Sequence, residues 1–299
     1  MKIAITGANS SVGLNLLNSL ESNEDVSVIA GIRSERAAKS LPQSPAINPQ
    51  IISYQDVDKL TEQLNGADVV LHLAGILIEF KGSNYKSANV DATAAVLEAA
   101  KKINASHFIF ISVVGADAKS SNAYFRSKGE AEELVRKSRL SASIIRTPIL
   151  LGPNTAGASS IAAAAKQPKA KVLGGGNYQM RPLDIDDLNL AIMECFNKTK
   201  PGVELYELVG PQAIPYRDLI KKMAGLLGNE IEIASIPIWT AKLGAAIGSR
   251  LRGGGFSPAV IDVITIDEKV DENADKTLGL TLTSLDATLE KIIKHEQSQ

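Results

Sequence analysis

One stretch, "ITGANSSVG" at residues 5–13, constrains the fold more tightly than any other part of the chain. The apolar run "KIAIT" ends at Thr6, just before Gly7, and apolar residues at 12, 16, 17 and 20 then recur at helical spacing. A buried strand, a glycine turn and a helix in that order make a βα unit able to hold a dinucleotide. Gly7 permits a tight exit from the strand, and Gly13 lets the helix lie close against it. The first amides of the helix have no intrahelical acceptor, so together with the helix dipole they draw a pyrophosphate. Asn9, Ser10, Ser11 and Val12 are accordingly expected around it. Ser10 stands at the middle position, where such turns usually have glycine. Its Cβ crowds the approach of the phosphates, while its hydroxyl can bond one, and a negative φ would let the turn stand.

The rest of the first half repeats strand and helix. Strands are read at "DVSVIAGIR", "QIISYQDV", "DVVLHLAG", "HFIFISVVG" and "SASIIRTPILLG", with a proline-rich loop, "LPQSPAINPQ", ahead of the third. They are dense in Ile, Val and Phe rather than alternating, as expected where helices cover both faces of a parallel sheet. The fold class is therefore α/β, a doubly wound parallel sheet over residues 1–153. Beyond Pro153 the composition turns Ala- and Gly-rich, and 154–299 reads as a smaller mixed α/β C-terminal lobe. Within it, residues 177–196 are expected to return to the core of the sheet domain.

The end of the second strand speaks to the nucleotide. NAD sites usually place a carboxylate there for the ribose hydroxyls, whereas "AGIRSER" offers Arg33 and Arg36 with no acid before Glu35. A guanidinium accommodates a 2′-phosphate that a carboxylate would repel, so NADP is expected, with NAD the alternative. Asp56, after the third strand, is a candidate for the adenine amino group. Ala74 and Gly75 close the fourth strand and are small enough for a cofactor to lie against the backbone. His72, just before them, reads as a packed residue.

The chemistry-bearing pair is in "YFRSK", which sets Tyr124 and Lys128 four residues apart on one helix face. A phenol near pKa 10 is a poor base at neutral pH. An ammonium one turn away, together with an oxidised nicotinamide, would stabilise the phenolate. Ser112, twelve residues earlier at a strand end, could polarise the substrate oxygen whose proton Tyr124 moves; the plain alternative is an ordinary strand-end serine. Asn89 is expected to hold the helix or a water near Lys128, and Pro148 to pin the chain beside the nicotinamide.

Composition narrows the partners. The formal charge is −1, no long run of one sign occurs, and aromatics are 4%, all of which argue against a nucleic-acid partner. His72, His107 and His295 lie far apart and the single cysteine is Cys195, so no metal site is expected. There is no signal-peptide pattern and no apolar run of about 20 residues, so the chain reads as cytoplasmic without a transmembrane segment. Residues 236–251 carry an apolar stripe with basic residues. A helix packed on its own lobe is the plain reading, and a lid or a contact with a protein or membrane surface is the alternative.

Taken together, "ITGANSSVG", "HLAG", "NVDATAAVLEAA", "YFRSK", "RTPILLGP" and "DIDDL" resemble the short-chain dehydrogenase/reductase superfamily, in its extended or atypical branch. The resemblance extends to epimerase/dehydratase-like proteins, and "HFIFISVVGADAKSSNAYFRSKGEAEELV" looks most like relatives of the NADPH-binding 39-kDa accessory subunit of respiratory complex I. It implies a Rossmann domain with a C-terminal substrate lobe, a catalytic tyrosine at Tyr124 and a catalytic lysine at Lys128. The catalytic serine or threonine falls at Ser112 or, one register on, at Val113, which has no hydroxyl. Two functions follow from the resemblance. One is an NAD(P)-dependent oxidoreductase or epimerase acting on a small-molecule carbinol or ketone. The other is a non-catalytic NADPH-binding accessory or redox-sensing protein.

Overall fold

The computed structural model describes residues 1–21, 23, 25–196 and 201–298. Contacts divide the chain into two compact units. The first comprises Met1–Ile76, Ser83–Arg146 and Asn189–Tyr206; the second comprises Leu77–Gly82, Thr147–Leu188 and Glu207–Gln299. The segment that rejoins the first unit thus begins inside a helix, at Asn189.

The first unit opens with β1 (Lys2–Thr6), α1 (Ser11–Leu20), β2 (Ser27–Ile32), α2 (Glu35–Ala38), β3 (Ile47–Ile51), α3 (Val57–Gln63) and β4 (Val69–His72). A π-helical turn, Lys86–Asp91, leads into α4 (Ala92–Lys102), followed by β5 (His107–Val113), α5 (Ala123–Lys137) and β6 (Ala142–Thr147). Next come β7 (Leu150–Leu151), α6 (Ala156–Ala165), β8 (Lys169–Leu173), β9 (Gln179–Met180), β10 (Leu183–Asp184), α7 (Ile185–Phe196) and β11 (Val203–Glu207). The chain finishes with β12 (Ile214–Pro215), α8 (Tyr216–Leu226), β13 (Glu232–Ile236), α9 (Ile238–Arg252), α10 (Pro258–Ile264) and α11 (Leu285–Gln297).

Seven strands form one sheet in the order β11-β6-β5-β4-β1-β2-β3. β1 is parallel to β2 and β4, and the parallel pairing continues to β3 on one side and β5 on the other. The order reverses direction between β1 and β4, which makes the C-terminal ends of those strands the switch point where open α/β sheets bind ligands. This is the doubly wound Rossmann architecture. Central strands are buried on both faces, with Ile3, Ile5, Val70, Leu71, Phe108 and Ile109 essentially inaccessible. One side packs on Leu60, Leu64, Val96, Ala131 and Val135 from α3, α4 and α5 and the turn after α3.

Two strand readings differ from the sequence expectation, and proline explains both. β3 covers Ile47–Ile51 and includes Pro49, inside the stretch expected to be a loop. It is the edge strand, where a residue without an N–H donor is tolerated. The single sixth strand expected over 141–152 is instead β6 and β7, separated at Pro148, which cannot donate to a ladder.

The second unit is built from short strand pairs: β8 with β13 and β7 with β10, both parallel, and β9 with β12, antiparallel. Its core joins Ile161 and Ala165 of α6 to Leu219 and Met223 of α8 and Leu289 of α11. The Ala-rich segment after Pro153 is therefore a core helix. Its small side chains let α6 and α8 approach closely, and the Thr155 hydroxyl caps α6 by accepting from the Ala158 amide.

Candidate cofactor site and its buried tyrosine and lysine

The loop from β1 to α1 is closed to side chains at both of its glycines. Gly7 has φ +77°, and a Cβ there would lie 2.8 Å from the Ala74 nitrogen. A Cβ on Gly13 would lie 2.4 Å from the Ala8 carbonyl oxygen. Ser10 occupies the middle position with φ −69° and ψ 162°, an unstrained conformation, and is the N-cap of α1. Its Oγ accepts from the Gly13 amide at 3.1 Å. Ser10 therefore satisfies the third amide of the helix, while those of Ser11 and Val12 come first and have no internal acceptor. With exposed Asn9 beside them, these residues fit a dinucleotide pyrophosphate.

The neighbouring strand ends complete the rim. Arg33, exposed, directly follows β2, and its positive field reaches the phenol of Tyr54. Asp56 is the N-cap of α3, its Oδ1 accepting from the Lys59 amide at 3.0 Å. Ala74 lies against Gly7, and a Cβ on exposed Gly75 would be 3.1 Å from Asn89 Oδ1 and 4.0 Å from Lys128 Nζ. Asn89 is a clamp. Its Oδ1 accepts from the Ile76 amide at 2.8 Å, while Nδ2 donates to the Ile76 carbonyl at 3.2 Å and to Ser127 Oγ at 2.9 Å. It thus ties the loop after β4 to α5, and the π-helical turn gives it the register to reach both.

Tyr124 and Lys128 lie in α5, whose N-cap Asn122 accepts from the amides of Tyr124 and Phe125. Both side chains are buried. Burial, and then the nearby phenol of Tyr85, raise the Tyr124 phenol above its ordinary value. The two rings are 5.7 Å apart. Lys128 Nζ donates to the Ile111 carbonyl at 2.8 Å and lies 4.3 Å from the centroid of Phe110, a cation–π contact. Burial brings the Lys128 ammonium down to about 8, against the opposing field of Glu132. A protonated phenol thus shares a helix face with an ammonium ion that titrates close to neutrality.

Ser112, the strand-end hydroxyl expected beside Tyr124, is buried near the end of β5. Its Oγ donates to Glu132 Oε1 at 2.6 Å. The same carboxylate is gripped by Arg146 through Nε at 2.8 Å and Nη2 at 2.7 Å, with Arg136 joining at 3.2 Å. Pro148 lies in the second unit, between β6 and β7.

His72 is fully buried, as its position in a strand suggested, and is neutral. Thr93 donates its hydroxyl proton to the Asn89 carbonyl at 2.6 Å, so at 3.1 Å from His72 Nε2 it can only accept. Nε2 therefore carries the proton, and Nδ1 accepts from the Thr6 hydroxyl at 2.6 Å. Tyr54 bonds to the same Thr6 hydroxyl, and burial pushes its phenol up to about 12. Thr6, His72, Thr93 and the Asn89 carbonyl thus form a buried chain with each donor matched to an acceptor.

Burial, and secondarily Lys128, take His72 down to about 3. A histidine that titrates near 6.5 when unfolded gains its proton in the unfolded state first. Its stabilisation is complete above that value and is lost as pH falls towards the folded value. Urea midpoints should therefore decline below about pH 6.5 with a one-proton component of about 1.4 kcal/mol per pH unit. His72→Gln should flatten that component, and an unchanged slope would assign the acid sensitivity to other groups.

Tyr85, Phe110, Glu132 and Arg146 carry much of this geometry, yet the sequence reading did not single them out. Glu132 had a readable signal, since it follows Lys128 by four residues on the same helix face. Arg146 and Tyr85 reach the site from other elements and have no local spacing to betray them.

A family described as NAD(P)H-binding matches residues 7–173. The chain is 26% identical over 246 residues to ceramide reductase of Caulobacter vibrioides, covering 79% of this chain and 73% of that one. It is 24% identical over 261 residues to NADH dehydrogenase (ubiquinone) 1 alpha subcomplex subunit 9, mitochondrial, of Arabidopsis thaliana. That match covers 83% of this chain and 65% of the subunit, so the chain spans less than two thirds of that relative. Among solved structures, MoeE5 in complex with UDP-glucuronic acid and NAD superposes with a TM-score of 0.78 at 18% identity, over 100% of this chain and 99% of that one. A likeness at that identity establishes the fold.

Proposed function

The chain belongs to the NAD(P)H-binding family, and on that premise we propose that it is an NAD(P)-dependent oxidoreductase or epimerase acting on a carbinol or ketone carbon. The observation that carries this reading is the buried pair on α5: Tyr124 and Lys128 one helical turn apart, with Lys128 beside the open backbone of Gly75. Gly7, Asn9, Ser10, Ser11, Val12 and Gly13 would hold the pyrophosphate, Ala74 and Gly75 would lie along the cofactor, and Asp56 Oδ2 would take the adenine amino group. Bound nicotinamide supplies the hydride acceptor or donor. Tyr124 Oη moves the proton of the reacting oxygen. With the phenol protonated, it starts as the donor, which suits carbonyl reduction. Lys128 steadies the phenolate that donation leaves. Ser112 orders Glu132 and stands outside the proton step in this reading.

Similarity to ceramide reductase supports an oxidoreductase. The second reading, a non-catalytic NADPH-binding protein, is favoured by the Ser112 hydroxyl's engagement with Glu132 and by similarity to the mitochondrial subunit. Turnover of NADPH with a panel of carbonyl compounds, in the parent and in Tyr124→Phe, separates the two. Activity lost on substitution supports the enzyme, and its absence from both proteins while NADPH binds supports the second reading.

Under either reading Arg33 selects NADP, by offering its guanidinium to the 2′-phosphate. Arg33→Asp should weaken NADPH binding by about tenfold or more and spare NADH, from the loss of a charge-assisted hydrogen bond. Calorimetric titration with the two nucleotides measures the ratio. An unchanged ratio removes Arg33 from the nucleotide.

A further inference from the structure

From Ile238 on, the stripe expected over 236–251 lies in α9. It turns outward: Trp239, Leu243, Ile247 and Leu251, each four residues from the last, are 70%, 58%, 56% and 82% exposed. Phe80 and Phe256 extend the apolar surface at 49% and 47%. The extension is built in. The Gly255 amide donates to the Glu79 carbonyl at 2.6 Å, and a Cβ on Gly254 would lie 2.6 Å from Phe80 Cα. The glycine turn after α9 thereby holds the segment with Phe80 against the end of the stripe. α9 also has an inner side, where Lys242 pairs with Asp262 of α10.

Charge indicates what covers this face. Arg250 is exposed and lies three residues from Ile247, on the same side of the helix, and between residues 233 and 261 the sequence holds no carboxylate. A second copy would bring this cation against itself in a two-fold contact. An anionic surface complements it, and a tryptophan on an apolar helix stripe beside an arginine suits the boundary between headgroups and acyl chains. Fifteen residues of helix span about 22 Å, short of a bilayer core of about 30 Å. Among the described residues no helix is long and apolar enough to cross a membrane.

We propose that α9, with Phe80 and Phe256 at its end, is a docking face that lies in the plane of an anionic phospholipid membrane. This does not depend on turnover.

Trp239 is the chain's only tryptophan, so its emission reports on this helix alone. Vesicles of phosphatidylcholine containing about a third phosphatidylglycerol should shift the emission of the full-length protein to the blue. They should bind about tenfold more tightly than pure phosphatidylcholine, with the preference fading in high salt. Leu243→Glu with Ile247→Glu should abolish co-sedimentation and leave the circular dichroism unchanged, since both side chains are more than half exposed. Arg250→Glu should erase most of the preference for anionic lipid. The proposal is overturned if the parent protein shows no shift with either vesicle. It is also overturned if the shift follows protein concentration without lipid and is accompanied by a rise in mass, which would make a second copy the occupant.

Discussion

Tyr124→Phe should lower turnover by about 10²- to 10⁴-fold, the usual weight of a positioned general acid or base, while NADPH binds as to the parent. Only the phenolic oxygen is removed, and the ring that packs 5.7 Å from Tyr85 remains. Cofactor contacts should survive because the glycine turn, Arg33 and the Asn89 clamp all lie on other elements. Lys128→Met is the companion. It keeps the apolar stem but removes the charge over Phe110 and the bond to the Ile111 carbonyl. If Lys128 acts by steadying the phenolate, the methionine variant should lose kcat more than it gains KM. Parent-like rates in Tyr124→Phe with a confirmed substrate would end the assignment of this pair to chemistry.

How far the site could be read from sequence depended on how local its physics was. The β1–α1 turn was legible because strand period, glycine spacing and helix start lie within twenty residues. Even there, whether Ser10 obstructs or caps turned on a φ angle that no pattern encodes. The pair on α5 was legible from a four-residue spacing. Ser112 was visible as a strand-end hydroxyl, but its destination was not, because Glu132 and Arg146 approach from α5 and β6. Pro49 misled for a related reason: proline forbids an interior strand and permits an edge one, and edge position is a property of the whole sheet. The stripe on α9 had the spacing of a packed helix, and only exposure shows that its apolar side faces outward.

The largest stability effect should come from Glu132→Ala. The Glu132 side chain is 3% exposed, and its carboxylate accepts from Ser112, from Arg136 and from Nε and Nη2 of Arg146. Removing it takes from the Arg146 guanidinium, itself 18% exposed, the carboxylate that its Nε and Nη2 both bond. Breaking a buried pair in this way costs about 3–5 kcal/mol, whereas replacing both members with apolar residues of similar volume is often nearly neutral. The double variant Glu132→Met with Arg146→Leu should therefore be more stable than Glu132→Ala, by urea midpoint. A milder change reaches the chemistry. Glu132→Gln keeps the shape but removes the negative field that holds the Lys128 proton against burial. The lysine, already brought down to about 8, should then release its proton at lower pH. If protonated Lys128 is needed for turnover, the alkaline limb of the pH–rate profile must move in the acid direction. A limb that stays in place while stability falls would make the cluster a pure scaffold and leave Lys128 to be tuned by its burial alone.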